Sequence, residues 1–99
     1  MRYRPQWMND SDDTILEFLA ETGAAFSKRG LEVNFEQRGI NVSYSTIKRR
    51  TEKLENAGLI KCVEQKGSYY AISESGEQYL EGELDMDNIS EPDKGKNGK

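Results

Sequence analysis

From Ser43 to Ile72 the chain changes its hydrophobic period once, with almost no linker between the two regimes. The stretch "SYSTIKRRTEKLENAG" opens on Ser43, whose hydroxyl can accept from the unpaired N–H groups of a first helical turn, and closes on Gly58. Inside it Ile47 and Leu54 stand two turns apart on one face, so a helix is predicted over residues 43–57. Directly after it, "LIKCVEQKGSYYAIS" holds two β-rich runs, 59–64 and 68–72, on either side of a Lys66-Gly67 tip that can turn tightly. A capped helix leading straight into a hairpin sets the class as α+β.

The flanking segments add three more helices. In "DSDDTILEFLAETG", Ile15, Leu16, Phe18 and Leu19 share one broad face, acids crowd the first turn where the helix dipole favours them, and Gly23 supplies a stop. In "SKRGLEVNFEQRG", Leu31 and Phe35 are spaced i, i+4 and Gly39 can close the helix. After the hairpin, "SESGEQYLEGEL" offers Ser73 as a cap, with Tyr79, Leu80 and Leu84 as apolar contacts. From Asp85 on, the chain is polar, charged and interrupted by Pro92 and glycines, which predicts disorder. With 34% apolar residues in 99, one modest core is expected: an N-terminal arm at 1–9, one domain at 10–84 and a polar tail at 85–99. Thr51 falls on the inner face of the third helix, where an aliphatic side chain would pack better.

Composition removes several functions. There is no histidine and one cysteine, Cys62. The usual zinc ligand sets are missing, no internal disulfide can form, and neither a Ser/His nor a Cys/His relay can be assembled. The acids fall in solvated-looking runs, none isolated in the apolar setting that would tune it for catalysis. No enzymatic activity, metal or cofactor is therefore expected. No apolar run approaches the ~20 residues of a membrane span, and "MRYRPQWMNDSDD" lacks the apolar middle of a secretory signal, so a soluble, cytoplasmic protein with no membrane partner is expected. Strand alternation predicts that Tyr70 and Ile72 face the core and that Cys62 is a small buried residue.

The net charge of -4 conceals a segregation along the chain. Residues 22–72 hold nine Lys or Arg against five Glu, whereas residues 73–93 hold eight acids and no base. A polyanion can therefore bind the middle of the chain while the segment after it repels the same ligand, which makes binding face-specific.

The order helix, helix, turn, helix, hairpin, helix is that of a winged helix-turn-helix, with a three-helix core, a two-stranded β-hairpin wing and a short C-terminal helix. "SYSTIKRRTEKLENAGLI" resembles the recognition-helix signature of winged-helix transcription regulators. In that signature a Ser-x-Ser-Thr-aliphatic opening is followed by paired basic residues, a Leu, then Ala-Gly-Leu-Ile leading into the wing. Over about residues 7–85, from "WM" and "DDTILEFL" to "YYAISESGEQYLEGELD", the chain resembles the small winged-helix repressors of haloarchaea and their viruses. The resemblance implies a sequence-specific DNA-binding regulator, a repressor that blocks a promoter by occupying it.

The residues themselves suit that role. With Ile47 and Leu54 inward, Tyr44, Ser45, Lys48 and Arg49 point outward, and Arg50 and Lys53 reach toward the flanking DNA backbone. Arg49 presents a planar fork matched to the two acceptors of guanine, and Lys48 offers the same less rigidly. Ser43, Tyr44, Ser45 and Thr46 form the first turn, the part of a recognition helix nearest the bases. In the wing, Lys66 is placed for phosphate or a minor groove, Gly67 permits close approach, and Ser68 and Tyr69 add backbone contacts.

Blander readings stand beside these. The basic helix face can be a solvated surface balanced by Glu52 and Glu55, and the hairpin tip a turn that only closes the sheet. In "RYRPQWM", Arg2 and Arg4 suit an arm in a minor groove, while Trp7 and Met8 gain more by packing. Since one recognition helix covers few base pairs, a homodimer on an inverted repeat of double-stranded DNA is the economical arrangement. The rival function is a winged-helix interaction module whose basic helix docks on an acidic protein partner. A third is an acidic nucleic-acid mimic working through residues 73–93.

Overall fold

Each helix starts where a side chain can accept hydrogen bonds from its first turn. In the computed structural model, which describes residues 4–64 and 68–83, the elements are α1 (Asp10–Thr22), α2 (Lys28–Gln37), α3 (Tyr44–Asn56), β1 (Ile60–Glu64), β2 (Tyr69–Ile72) and α4 (Glu74–Leu80). Ser27, Ser43 and Ser73 cap α2, α3 and α4. Asn9 caps α1 in a reciprocal box: its Oδ1 accepts from the N–H groups of Ser11 and Asp12, and Asp12 Oδ2 accepts from the Asn9 N–H at 2.9 Å. The predicted elements are all present. Leu84, the tail 85–99 and the hairpin tip 65–67 lie outside the described residues.

A tight turn at Gly58 sets how α3 meets the sheet. Gly58 takes φ of 82°, a left-handed conformation that costs a glycine little, and the next N–H, that of Leu59, returns to the Leu54 carbonyl at 3.0 Å. The chain therefore reverses out of α3 within two residues, and β1 starts beside the helix it has just left. β1 and β2 pair antiparallel, with Ile60 opposite Ile72 and Cys62 opposite Tyr70, and the register shifts between Cys62 and Glu64. On the other side of β2, Phe26 exchanges both backbone hydrogen bonds with Tyr70, at 2.8 and 2.9 Å. β2 is thus flanked on both sides, and β1 is an outer strand.

That placement corrects the reading of Cys62. Ile60 is buried, but Lys61, Cys62 and Val63 are all exposed, because β1 is the outer strand of the hairpin, and the register shifts only after Cys62. Tyr70 and Ile72 do face the core, as the alternation predicts.

The core lies between α1, α2 and α3, closed by the strands and α4. Leu16, Leu19, Leu31, Phe35, Ile47 and Leu54 are fully buried, Phe18 packs edge-on against Phe35 with centroids 5.2 Å apart, and Met8 and Trp7 cover one margin. Thr51 is buried among them as predicted. Its hydroxyl donates to the Ile47 carbonyl at 2.8 Å, so the polar atom on the inner face is satisfied by its own helix. α4 packs closely on the start of β1 through Gly76, where an added Cβ would stand 2.2 Å from the Leu59 carbonyl oxygen and 2.8 Å from Ile72 Cγ1. The backbone cannot yield at that carbonyl without moving the strand. Gly76→Ala is therefore expected to destabilise the fold by about 1–3 kcal/mol in a urea melt.

The acids of α1 are not all solvated, contrary to the expectation from sequence. Asp12 is completely buried and Asp13 nearly so. Arg50 of α3 donates from Nε to Asp12 Oδ1 at 2.7 Å and from Nη2 to Asp12 Oδ2, and its Nη2 also donates to the Trp7 carbonyl at 3.1 Å. Tyr79 of α4 donates to Asp13 Oδ1 at 2.6 Å, while Arg4 bridges Asp10 and Asp13 at 2.8 and 3.0 Å. Crowded acids at a helix N-terminus suit the dipole in isolation. Here α3 and α4 fold across that first turn and bring the donors the buried carboxylates require.

Candidate nucleic-acid interface

The interface follows from the face of α3 left uncovered. Ser43 Oγ accepts from the Thr46 N–H at 3.2 Å and donates to Thr46 Oγ1 at 3.0 Å, which fixes the first turn. Tyr44, at 40% exposure, Ser45, Lys48 and Arg49 project outward, as the spacing predicts. Arg49 Nη2 lies 3.4 Å from Thr46 Oγ1. Among the described residues, neither Lys48 nor Arg49 is in an ion pair. Glu52 and Glu55 stand near them, lining one recess with Lys48, but outside ion-pair distance.

Arg50 does not share that face. It was expected to reach DNA backbone, but it stands three residues after Ile47 and four before Leu54, which puts it on the inner side of α3 and onto Asp12. Lys53 is half-buried, its Nζ 5.9 Å from the centroid of the Trp7 ring, so it leans back toward the N-terminal segment. Trp7 and Met8 pack against the core, as burial favoured. Arg4 is held by Asp10 and Asp13 of α1, while Arg2 lies outside the described residues.

Of the wing, Lys66 and Gly67 also lie outside the described residues. Ser68, with φ of 55°, and Tyr69, 42% exposed, stand at the described edge of the hairpin. One further cation stands beside the exposed face of α3. Lys28, the first residue of α2, shares with Lys48, Glu52, Glu55 and Tyr70 an open recess of about 300 Å³, and its Nζ sits 5.5 Å from the Tyr70 ring centroid. Its signal in the sequence is a lysine just after Ser27, since that capping position puts Lys28 at the N-terminus of the helix preceding α3.

Three helices, a strand hairpin after the third and the exposed cations Lys48 and Arg49 on that third helix define a winged helix-turn-helix DNA-binding protein. The chain belongs to the winged helix-turn-helix phage repressors, whose family model matches residues 1–92. It is 33% identical over 92 residues to a repressor protein of Halobacterium phage phiH, covering 90% of this chain and 97% of that one. It is also similar to the crystal structure of the PhiH1 repressor-like protein from Haloarcula marismortui, with a TM-score of 0.74 and 35% identity over 93% of this chain and 96% of the other. The family is one of DNA-binding transcriptional repressors and not of enzymes, and its haloarchaeal viral connection agrees with the resemblance seen in the sequence. Among the described residues no helix is long and apolar enough to cross a membrane, and no cluster of side chains suits a metal ion.

Proposed function

We propose that this repressor seats the exposed face of α3 in the major groove of an operator, with the hairpin at 64–69 against the flanking backbone. The observation that carries this is the pair Lys48 and Arg49, exposed on successive positions of a capped helix and, among the described residues, in no ion pair. In this reading Arg49 takes the two acceptors of a guanine, Lys48 a neighbouring base edge or phosphate, and Tyr44 and Ser45 the bases under the first turn. Ser43 and Thr46 hold that turn in shape. Lys28 meets phosphate beside α3, and Lys66, Gly67, Ser68 and Tyr69 form the wing contact. Arg50 serves by fixing α3 on α1.

The test is fluorescence anisotropy of the protein against duplex from upstream of its own gene and a scrambled duplex across a salt series. Binding to the native duplex tighter by ~10³ or more is expected, with the scrambled complex lost first as salt rises. Equal weak binding to both would reduce α3 to a polyanion patch, and no binding at low salt would move the basic helix to a protein partner.

A two-fold dimer on an inverted repeat doubles the sequence that one short helix can read. Sedimentation at micromolar concentration is expected to return twice the chain mass; a single-chain mass would refute the dimer.

A further inference from the structure

The outward face of α3 is not uniformly basic. Measured from the buried pair Ile47 and Leu54, Ser45, Arg49 and Glu52 are turned far from the core, spaced i, i+4, i+7 along one stripe that Asn56 continues. All three are exposed. Glu52 therefore sits in the middle of the surface offered to DNA. Among the described residues it is in no ion pair, and the Arg49 guanidinium one turn away lies against Thr46 instead.

A carboxylate there weakens binding to any polyanion unless DNA supplies a donor at that spot. An ionised carboxylate only accepts hydrogen bonds. In the major groove, guanine offers two acceptors, thymine an acceptor and a methyl group, and adenine a donor beside an acceptor. Cytosine alone presents a donor with no acceptor next to it. From this geometry, and resting on the operator-binding reading above, we infer that Glu52 is a specificity-determining residue that selects a cytosine by accepting from its amino group. Arg49 and Glu52 are about 4.5 Å apart along the helix axis, close to one base-pair step of about 3.4 Å. The cytosine therefore lies within a base pair or two of the guanine read by Arg49. The carboxylate acts twice: it is satisfied by the cytosine amino group and repelled where only acceptors face it, so it widens the gap between operator and bulk DNA.

The experiment is selection from a random-sequence duplex library with the full-length protein, Glu52→Gln and Arg49→Gln, followed by affinity measurements on the selected duplexes. The wild-type motif is expected to contain a guanine and a nearby cytosine. Glu52→Gln should lose the cytosine preference by about tenfold or more, keep the guanine, and bind motif-free duplex at least as tightly as the wild type. Arg49→Gln should lose the guanine first. An unchanged cytosine preference in Glu52→Gln overturns the inference, as does an equal gain in affinity for all duplexes, which would make the carboxylate a plain electrostatic brake. A wild-type selection that enriches no motif overturns the operator reading itself, and this inference with it. Because Glu52 is exposed and removed from the core, thermal melts of the variant and the wild type should coincide.

Discussion

Asp12→Ala is expected to cost about 3–5 kcal/mol of stability. The carboxylate is wholly buried and receives two hydrogen bonds from Arg50 and one from the Asn9 N–H. Removing it takes the carboxylate from a buried arginine, 7% exposed, and leaves that charge with the Trp7 carbonyl as a weaker acceptor, and losing one ion of a buried pair is what makes breaking such pairs so costly. The same substitution deletes half of the capping box of α1, worth about 1 kcal/mol more. A domain of this size has a total stability on the order of 5–15 kcal/mol, so the loss is a large share of it. The pair itself contributes far less than its rupture costs, because both ions were desolvated to form it. Asp12→Leu combined with Arg50→Met should therefore be markedly more stable than either single variant. Urea melts of the four proteins measure this directly; strictly additive losses would show that the two side chains are not coupled. The pair also matters for function. Arg50 ties α3 both to α1 and to the backbone of Trp7, so it sets the angle at which the helix is presented.

Lys48→Glu with Arg49→Glu should leave the fold intact and remove DNA binding. Both side chains are exposed, and surface changes of this kind typically alter stability by about 0.5 kcal/mol or less. The new acids would lie near Glu52 and Glu55 and repel them at helical spacing, adding a few tenths of a kcal/mol. Binding falls for a different reason. Two base or phosphate contacts, each worth about 1–3 kcal/mol, are lost, which lowers affinity by a factor on the order of 10² to 10⁴ before the new repulsion is counted. Anisotropy at fixed salt reads the loss, and a melt that matches the wild type excludes unfolding as its cause. Lys53→Glu is the informative contrast. Since Lys53 leans toward Trp7, it should weaken DNA binding far less than the double reversal. Undiminished binding by the double variant would move the interface off α3.

The elements and the outward face of α3 were legible in local sequence. Caps at Ser43 and Ser73, helix stops at Gly23 and Gly58, and apolar spacing are local signals. They work because a helix terminus is satisfied by its immediate neighbours and an amphipathic face by residues a turn away. The outward placement of Tyr44, Ser45, Lys48 and Arg49 follows from the same periodicity. The inward placement of Arg50 also follows from it, since residues 47, 50 and 54 share a face, yet an arginine on a basic helix invites the opposite reading. Which acids are buried depends instead on how the helices pack. Asp12 and Asp10 look alike in a solvated first turn, and what separates them is that α3 brings Arg50 across 38 positions of sequence to one of them. The tertiary structure likewise decided that Cys62 is exposed, because β1 is an outer strand, and that Lys28 stands beside Lys48, because α2 is folded against α3. Charge burial and neighbourhood depend on contacts between distant segments, and no local periodicity encodes those.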